Sequence, residues 1–430
     1  MKYSYSNVQQ AVSNIQSGQR IFVHGSAATP GTLLAALEAR AFELSNVEIV
    51  SLTTLGDMPL AKAEYRGSFY FNSVFVSSNI RTVVNDGMGS YIPVFLSEIP
   101  KLFYQKILPL DVALIHVSPP DAHGYCSLGV SVDISLAAVK SANLVIAQVN
   151  PKMPRTHGDG FLHASEINVW VETYDELPEI DYNNETSEVE KKIGQFCASL
   201  IEDGSTIQMG IGSIPNAVMD ELVNHKDLGV HTEMFSDGVV DLLKKGVITN
   251  RYKKKHRRKV ISTFAIGSRA LYQFIDDNPL FSFLESDYVN DAYVISKNPK
   301  VAAINGAIEV DITGQVCADS IGKYQFSGVG GQMDFMRGAA MSDGGKPIIS
   351  ISSITSKGES KIVPFIKEGG GIVSTRAHVH YIVTEFGIAY LFGKNLEQRA
   401  AELLKITHPD HQEFLDREIR DRFGKKIFGS

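Results

Sequence analysis

A segment near the middle of the chain has the residue types that bind a negatively charged group. The sequence QMGIGSIPNAV at 208–218 combines a predicted strand, a Gly-x-Gly turn and a predicted helix. Backbone N–H groups in such a turn, together with a helix N-terminus, can bind a phosphate. The same residues also suit a tight strand-to-helix turn that binds nothing, because glycine permits the required backbone angles. The residue types leave both interpretations open.

A dinucleotide-binding fingerprint is a third interpretation of this segment. Its ribose-binding acid is expected about 20 residues further on, and Glu233 lies close to that spacing. Pro215, however, occupies the position of the third glycine, which normally allows close packing of the helix. The fingerprint is therefore incomplete, and a dinucleotide-dependent oxidoreductase is disfavoured.

Glu233 is itself a candidate for chemistry. It lies in HTEMFSDG at 231–238 and is predicted to end a strand, where open α/β sheets bind their ligands. A glutamate at this position either reacts or only caps and pairs, and the residue types alone favour the structural role. Ser236 and Asp237 are predicted to form a turn without a catalytic role.

Loops of glycine and other small residues could supply the remaining parts of a site. They are VHGSAATP at 23–30, FSGVGGQMDF at 326–335 and KEGGGIV at 367–373. Gly328, Gly330 and Gly331 could bring backbone N–H groups close to a substrate oxygen, as an oxyanion site requires. Apolar residues predict that the second loop is packed, whereas the third is predicted to be a surface loop.

Several basic residues could also contact a ligand. Lys357 is either a phosphate contact or an exposed lysine in a turn, and His24 is predicted to be a satisfied, partly buried histidine. The run RYKKKHRRK at 251–259 is predicted to be a solvated loop that helps to steer an anionic ligand. His378 and His380 are predicted to share one face of a strand without further ligands, and neither HExxH nor GxSxG occurs. Neither a metal site nor serine hydrolysis is expected.

Composition excludes other classes of protein. The 430 residues carry a net charge of −7, with 41 Lys+Arg against 48 Asp+Glu, which disfavours a nucleic-acid partner. The three cysteines form no CxxC pair, which disfavours a disulfide framework and fits a reducing cytoplasm. The sequence has neither the apolar core of a signal peptide nor 18 consecutive apolar residues. We expect a cytoplasmic protein without a membrane partner.

An internal repeat predicts the organisation of the fold. Aligning Gly18 with Gly204, at an offset of 186 residues, gives two copies of helix, strand, small-residue loop, proline, helix and strand. Short apolar runs between helical patterns predict mainly parallel α/β sheets. The predicted strands are VALIHV at 112–117, NLVIAQV at 143–149, KPIISIS at 346–352 and GIVST at 371–375. We predict two α/β domains, 1–185 and 186–430, the second ending in a helical tail at 395–422.

Taken together, these motifs resemble the acetyl-CoA hydrolase/transferase family, in particular the class I CoA-transferases of the butyryl-CoA:acetate and 4-hydroxybutyrate type. The resemblance covers nearly the whole chain. It is carried by 117–133, 150–163, 208–218, 231–238, 305–316, 326–335 and 375–394. It implies two CoA-transferase-type α/β domains with the active site in the cleft between them.

The resemblance also implies roles for particular residues. Glu233 matches the family's nucleophilic glutamate, which overturns the structural interpretation of this residue. The small-residue loop at 23–30 and the amides of Gly330 and Gly331 match the oxyanion-stabilising elements. The residues expected to contact CoA are Gln208, Met209, Gly210, Ile211, Gly212, Ile308, Gly330, Gly331 and Lys357.

The implied activity is CoA transfer between a short-chain acyl-CoA and a carboxylate such as acetate, in a ping-pong mechanism through a glutamyl-CoA thioester. CoA is then a substrate and no cofactor is bound permanently. Acyl-CoA hydrolysis is one alternative, and a non-catalytic CoA-binding protein is another. The expected partners are these small molecules, and a homo-oligomer is expected on family grounds.

Overall fold

The computed structural model describes residues 4–180 and 186–424, and it is built from alternating helices and strands. The helices are α1 (Val8–Val12), α2 (Gly31–Glu38), α3 (Arg81–Val83), α4 (Ile99–Tyr104), α5 (Ser135–Ser141), α6 (Glu188–Leu200), α7 (Ser213–Glu221), α8 (Asp237–Lys244), α9 (Arg269–Ile275), α10 (Ser286–Val289), α11 (Ala292–Ser296), α12 (Gln332–Met341), α13 (Leu396–Lys405) and α14 (Pro409–Phe423). The strands up to residue 180 are β1 (Arg20–Val23), β2 (Val47–Ser51), β3 (Phe69–Ser73), β4 (Gly89–Tyr91), β5 (Val112–Val117), β6 (Tyr125–Ser127), β7 (Leu144–Val149), β8 (Phe161–His163) and β9 (Val169–Glu172). The remaining strands are β10 (Thr206–Met209), β11 (Gly229–Val230), β12 (Met234–Phe235), β13 (Val260–Ser262), β14 (Phe264–Ala265), β15 (Phe281–Phe283), β16 (Ala302–Gly306), β17 (Glu309–Asp311), β18 (Val316–Cys317), β19 (Ser320–Ile321), β20 (Tyr324–Gln325), β21 (Lys346–Ser350), β22 (Ile362–Val363), β23 (Tyr381–Thr384) and β24 (Gly387–Tyr390).

The described residues form two compact units. The first comprises 4–180 together with Ile261–Val289 and Gln325–Gly330. The second comprises the remaining described residues. The predicted boundary at 185/186 stays a prediction, because residues 181–185 lie outside the described residues. The predicted domain ranges, 1–185 and 186–430, do not include the assignment of Ile261–Val289 and Gln325–Gly330 to the first unit.

A seven-stranded parallel sheet forms the centre of the first unit, in the order β4-β3-β2-β1-β5-β7-β9. Every residue of β5 is buried, as expected for a strand covered on both faces. The predicted strand at 112–117 coincides with β5, and β7 begins one residue later than predicted. The expected α/β class with mainly parallel sheets is confirmed.

The second unit contains a six-stranded sheet in the order β11-β10-β16-β21-β23-β24, in which only β24 is antiparallel to its neighbour. Its elements α6-β10-α7-β11 follow the same order as α1-β1-α2-β2 in the first unit. The aligned glycines, Gly18 and Gly204, have φ angles of 79° and 76°. Each glycine also donates its N–H to a carbonyl just before the second strand of its copy, to Ser45 O before β2 and to Lys226 O before β11. These equivalent contacts support the internal repeat.

Two predicted segments of the second unit have different outcomes. The strand predicted at 371–375 is wrong, because this segment pairs only through a single bridge between Ser374 and Val316. The three glycines at 369–371 have no side chains to pack, and of the two apolar residues that follow, Val373 is buried whereas Ile372 is exposed. The C-terminal segment contains α13 and α14, which are separated by residues 406–408. Pro409 is the first residue of α14, a position that proline favours.

A buried carboxylate in the first unit makes stability depend on pH. The Tyr104 hydroxyl donates hydrogen bonds to both carboxylate oxygens of Glu285, at 3.0 and 3.2 Å. The Glu285 N–H donates to Asp159 Oδ2 at 3.3 Å. Burial, followed by the charge of Asp287, raises the pKa of Glu285 to about 7. The folded state therefore binds a proton more tightly than the unfolded chain does.

We expect Glu285→Gln to stabilise the protein at pH 8 and to have little effect at pH 5. The raised pKa favours folding below the ordinary value of 4.5, and this advantage is lost as the pH rises through about 7. The difference between the two pKa values corresponds to at most about 3 kcal/mol in the free energy of unfolding. Urea unfolding at both pH values measures it, with the exposed Glu64→Gln as a control for charge. Equal effects of Glu285→Gln at the two pH values would contradict the prediction.

Candidate active site

The glycine turn at 210–212 follows β10, a buried strand of the second sheet that lies next to the edge strand β11. All four residues of β10 are buried, whereas Gly210, Ile211 and Gly212 are partly exposed. Gly212, which precedes α7, has a φ of 120° that other residues rarely adopt. The turn thus requires glycine for its geometry and also places partly exposed backbone at a helix N-terminus, so both structural and anion-binding interpretations fit it.

The side chain of Gln208 is buried and joins two neighbouring strands. Asn305 Nδ2, on β16, donates a hydrogen bond of 3.0 Å to Gln208 Oε1. Gln208 Nε2 lies 3.5 Å from Asn305 Oδ1. Because its amide is paired with Asn305, Gln208 joins β10 to β16 just before the turn. The partly exposed residues 210–212 are better placed than Gln208 to contact a ligand.

Glu233 lies in a bend between β11 and β12. The predicted strand ends earlier than expected, at Val230, so the prediction that Glu233 ends a strand is wrong. The hydroxyl of Thr232 donates hydrogen bonds to Met209 O at 3.2 Å and to Met234 O at 2.8 Å. These contacts hold the bend against the end of β10, so Glu233 lies beside the glycine turn rather than in a regular strand.

The carboxylate of Glu233 contacts two residues from distant parts of the chain. Asn290, which is fully buried, donates a hydrogen bond of 3.1 Å from Nδ2 to Glu233 Oε2. A Cβ atom at Gly331 would overlap Glu233 Oε2 and Asn290 Nδ2, because it would lie closer to each than real Cβ atoms lie to a non-bonded heavy atom. Gly331 is the N-cap of the ten-residue helix α12. The carboxylate therefore packs directly on backbone at the positive end of a helix.

The other residues of the predicted CoA site follow neighbouring strands of the same sheet. Ile308 comes just after β16, and its N–H donates to Cys317 O at 2.8 Å. Lys357 is exposed in a turn after β21, where its N–H donates to Thr355 Oγ1 at 3.2 Å. Strands β11, β10, β16 and β21 are adjacent and parallel, so their carboxyl ends meet at one edge of the sheet. The structure thus brings Glu233, 210–212, Ile308 and Lys357 to that edge.

The loop that contains Gly328 and Gly330 is packed, as predicted. The N–H of Val329 donates to Tyr91 Oη at 2.8 Å, and the N–H of Leu96 donates to Gly330 O at 3.0 Å. Both glycines are buried. The loop at 367–373 is largely exposed, which confirms its prediction as a surface loop.

His24 and the loop at 23–30 are buried throughout. His24 Nδ1 accepts a hydrogen bond from the His116 N–H at 3.1 Å, so the proton lies on Nε2, which donates to Ser131 O at 2.7 Å. Burial lowers the pKa of His24. The prediction of a satisfied histidine is confirmed, and His24 is more deeply buried than expected.

The remaining basic candidates differ from expectation. His378 lies in a turn and His380 precedes β23, so the strand predicted to align them is wrong. No group of three or more His, Cys, Asp or Glu side chains among residues 4–180 and 186–424 is arranged to hold a metal ion. The run at 251–259 is mostly exposed, but Lys253 is buried, which corrects the prediction of a uniformly solvated loop.

Sequence reasoning missed Asn290. This residue lies between α10 and α11, directly before Asp291, whose side chain caps α11. The Asn-Asp pair indicates a helix start, but nothing in the local sequence places Asn290 beside a glutamate 57 residues away. Only the tertiary fold brings the two side chains together.

The fold and this edge of the sheet define an α/β enzyme class in which a glutamate held by an amide adjoins a glycine-rich strand-to-helix turn. Comparison with known proteins specifies the class further. The N-terminal domain of the acetyl-CoA hydrolase/transferase family matches residues 2–190, and its C-terminal domain matches residues 267–419. The chain belongs to this family, which confirms the resemblance seen in the sequence.

Individual relatives agree with the family assignment. A succinyl-CoA:acetate/propanoyl-CoA:succinate CoA transferase of Fasciola hepatica is 50% identical over 97% of this chain and 88% of its own length. A 4-hydroxybutyrate coenzyme A transferase of Clostridium kluyveri is 46% identical over 96% of this chain and 97% of its own length. The crystal structure of RipA from Yersinia pestis is 34% identical, covers 98% of both chains and has a TM-score of 0.93.

Among the described residues, the longest apolar helical stretches all fall short of what a bilayer crossing requires.

Proposed function

We propose that this protein transfers CoA between a short-chain acyl-CoA, butyryl- or 4-hydroxybutyryl-CoA, and a carboxylate such as acetate. The observation that carries the proposal is the position of the Glu233 carboxylate, which Asn290 holds by a hydrogen bond of 3.1 Å against the backbone at Gly331. A carboxylate that is ionised at neutral pH needs no general base to attack a thioester. The hydrogen bond from Asn290 fixes the orientation of the carboxylate, which favours its attack on a bound thioester over its solvation by water.

The reaction proceeds through two covalent forms of Glu233, a mixed anhydride and a thioester. Glu233 attacks the acyl carbonyl, and expulsion of the CoA thiolate leaves an acyl-glutamyl anhydride. The thiolate then attacks the glutamyl carbonyl, which releases the free carboxylate and leaves a glutamyl-CoA thioester. A second carboxylate reverses the two steps and departs as a new acyl-CoA. Glu233 is regenerated as a free carboxylate, and the free energy of the original thioester is retained in the new acyl-CoA.

The contacts with CoA follow from the edge of the sheet described above. The backbone of Gly210, Ile211 and Gly212 at the start of α7 suits a negatively charged or carbonyl oxygen of CoA. Ile308 supplies an apolar contact and Lys357 a cation for phosphate. The amides of Gly330 and Gly331 suit the oxyanion that forms when the thioester carbonyl is attacked.

Substrate names of the relatives support the choice of acyl group and acceptor. The C. kluyveri relative is named for 4-hydroxybutyrate, and the F. hepatica relative is named for acetate as well as succinyl and propanoyl groups. One methylene changes binding in an apolar pocket by only about 1–3 kcal/mol, so relatives of this kind share a fold while preferring different chain lengths.

Hydrolysis of acyl-CoA is the second candidate function, because the family includes hydrolases as well as transferases. The two outcomes share the attack by Glu233 and differ in whether water or a carboxylate discharges the glutamyl thioester. A non-catalytic CoA-binding protein is disfavoured, because binding alone does not require a carboxylate oriented by a buried amide.

The test is to incubate the protein with butyryl-CoA without an acceptor, to map its peptides by mass, and then to add acetate. We expect a CoA adduct on the peptide that contains Glu233 and its release as acetyl-CoA once acetate is present. Free CoA formed without acetate would favour hydrolysis. The absence of both adduct and turnover, with butyryl-CoA and with 4-hydroxybutyryl-CoA, would overturn the proposal.

A further inference from the structure

Among residues 4–180 and 186–424, β11 is an edge strand of its sheet and pairs there with β10 alone. The N–H groups of Gly229 and His231 donate to carbonyls of β10 and its preceding residue. In a strand, alternate residues direct their backbone groups to opposite sides, so the N–H and C=O of Val230 face outward. These two groups lie three residues before Glu233, and they require partners of their own.

Side chains from the loop after α8 provide those partners. Asn250 Oδ1 accepts a hydrogen bond of 2.8 Å from the Val230 N–H. Lys253 Nζ donates a hydrogen bond of 2.6 Å to Val230 O and another of 2.7 Å to Lys259 O. The backbone of 247–250 pairs with Leu228, the residue just before β11, and the two side chains continue this pairing to Val230. We call Asn250 and Lys253 the Val230 clasp.

Lys253 is unlike the other lysines of the basic run, because only 2% of its surface is exposed. The absence of a side chain at Gly229 makes room for it, since a Cβ atom there would lie 2.7 Å from Lys253 Cγ. Burial lowers the pKa of Lys253 well below its ordinary value. Its Nζ nevertheless has two hydrogen-bond acceptors, the carbonyls of Val230 and Lys259.

The loop that carries the clasp is itself held in place. Asn298 Oδ1 accepts hydrogen bonds from the backbone N–H groups of Lys254 and Lys255, at 3.1 and 3.2 Å. The N–H of Arg258 donates to Asn250 O at 2.9 Å. These bonds give Lys253 a fixed base from which to reach Val230.

We infer that Lys253 is a positioning residue for Glu233 and that the basic run acts through this buried lysine rather than by attracting anions. The clasp fixes β11 on its outer side, while Thr232 fixes the following bend to Met209 on the inner side. Glu233 is the next residue after Thr232, so its carboxylate depends on both attachments for its position. This inference rests on the proposed function, in which Glu233 is the nucleophile.

The test compares Lys253→Met with Lys254→Met and Lys255→Met, which each remove one lysine from the same run. A misplacement of about 1 Å can cost a reaction about 100-fold, so we expect Lys253→Met to lower kcat by about 10- to 100-fold. We expect the KM for acyl-CoA to stay within about twofold, because the predicted CoA contacts lie on other strands. The two control variants should keep both values.

A second variant guards against loss of folding. Asn250 has a φ of 55°, so Asn250→Gly keeps the backbone conformation and removes only the acceptor for the Val230 N–H. We expect it to slow formation of the glutamyl-CoA adduct per folded molecule, as Lys253→Met does. Unchanged adduct rates in both variants would overturn the inference. So would equal rises in KM for all three lysine variants, which would instead indicate attraction of anions.

Hydrogen exchange of the peptide that contains residues 229–234 separates this inference from the proposed function. We expect faster exchange in Lys253→Met than in Lys254→Met, whether or not Glu233 is the nucleophile. If the native protein forms no adduct but exchange still increases, the clasp exists and the proposed function fails. If the native protein forms the adduct and exchange is unchanged, the clasp is refuted and the proposed function stands.

Discussion

Glu233→Gln is expected to abolish CoA transfer while leaving the fold intact. Glutamine has nearly the same shape, and its Oε1 can still accept the hydrogen bond from Asn290. It is not nucleophilic, so neither the anhydride nor the thioester can form. Removal of a covalent nucleophile has cost another enzyme on the order of 10⁶ in kcat, and we expect a loss of about 10⁴-fold or more here. Exchange of labelled acetate into acetyl-CoA measures it.

The variant Glu233→Asp sharpens this prediction. Aspartate keeps the carboxylate but withdraws it by one methylene from Asn290 and from the backbone at Gly331. We expect a loss of about 100-fold or more, because the nucleophile no longer reaches the position fixed for it. Thermal unfolding serves as the control for folding in both variants. Exchange at nearly the native rate in either variant would show that Glu233 is not the nucleophile.

The parts of the fold that follow from local pattern were predictable from the sequence. The run at 112–117 predicts a strand covered on both faces, because all its residues except His116 are apolar. It forms β5, in which every residue is buried. The glycine turn at 210–212 also lies where the residue types place it, between a strand and a helix. By contrast, 371–375 contains β-branched residues but pairs with β18 only through a single bridge, and propensity alone does not reveal this.

The contacts of the site depend on residues that are far apart in the chain. Glu233 could be singled out, but its partner Asn290 lies in a short connection whose sequence indicates a helix start and nothing of the contact with Glu233. Lys253 was misread for a related reason. A lysine among six other Lys and Arg residues is expected to be solvated, and its burial is explained by the hydrogen bond that it donates to the outward-facing carbonyl of Val230. Composition predicts the average exposure of the run, whereas the tertiary fold determines that Lys253 is buried while most of its neighbours are exposed.

Gly331→Ala is expected to impair catalysis about as strongly as Glu233→Asp. The added Cβ atom would overlap both Glu233 Oε2 and Asn290 Nδ2, so the hydrogen bond between them cannot keep its present geometry. Gly331 has a φ of −98° and a ψ of 7°, which alanine tolerates, and the backbone therefore need not change. The carboxylate must move instead, and we expect kcat to fall by about 100-fold.

Gly31→Ala is the matched control, because a Cβ atom at this helical position meets nothing within 4 Å. Alanine favours helix by up to about 1 kcal/mol over glycine, so this variant should be active and at least as stable as the native protein. The comparison uses the rate of adduct formation from butyryl-CoA together with thermal unfolding. If Gly331→Ala forms the adduct as fast as Gly31→Ala does, then close packing of the Glu233 carboxylate on the start of α12 does not set the reaction rate. A slow adduct in a stable Gly331→Ala would instead show that the glycine is needed for the position of the nucleophile, because the two variants add the same methyl group and differ only in what it meets.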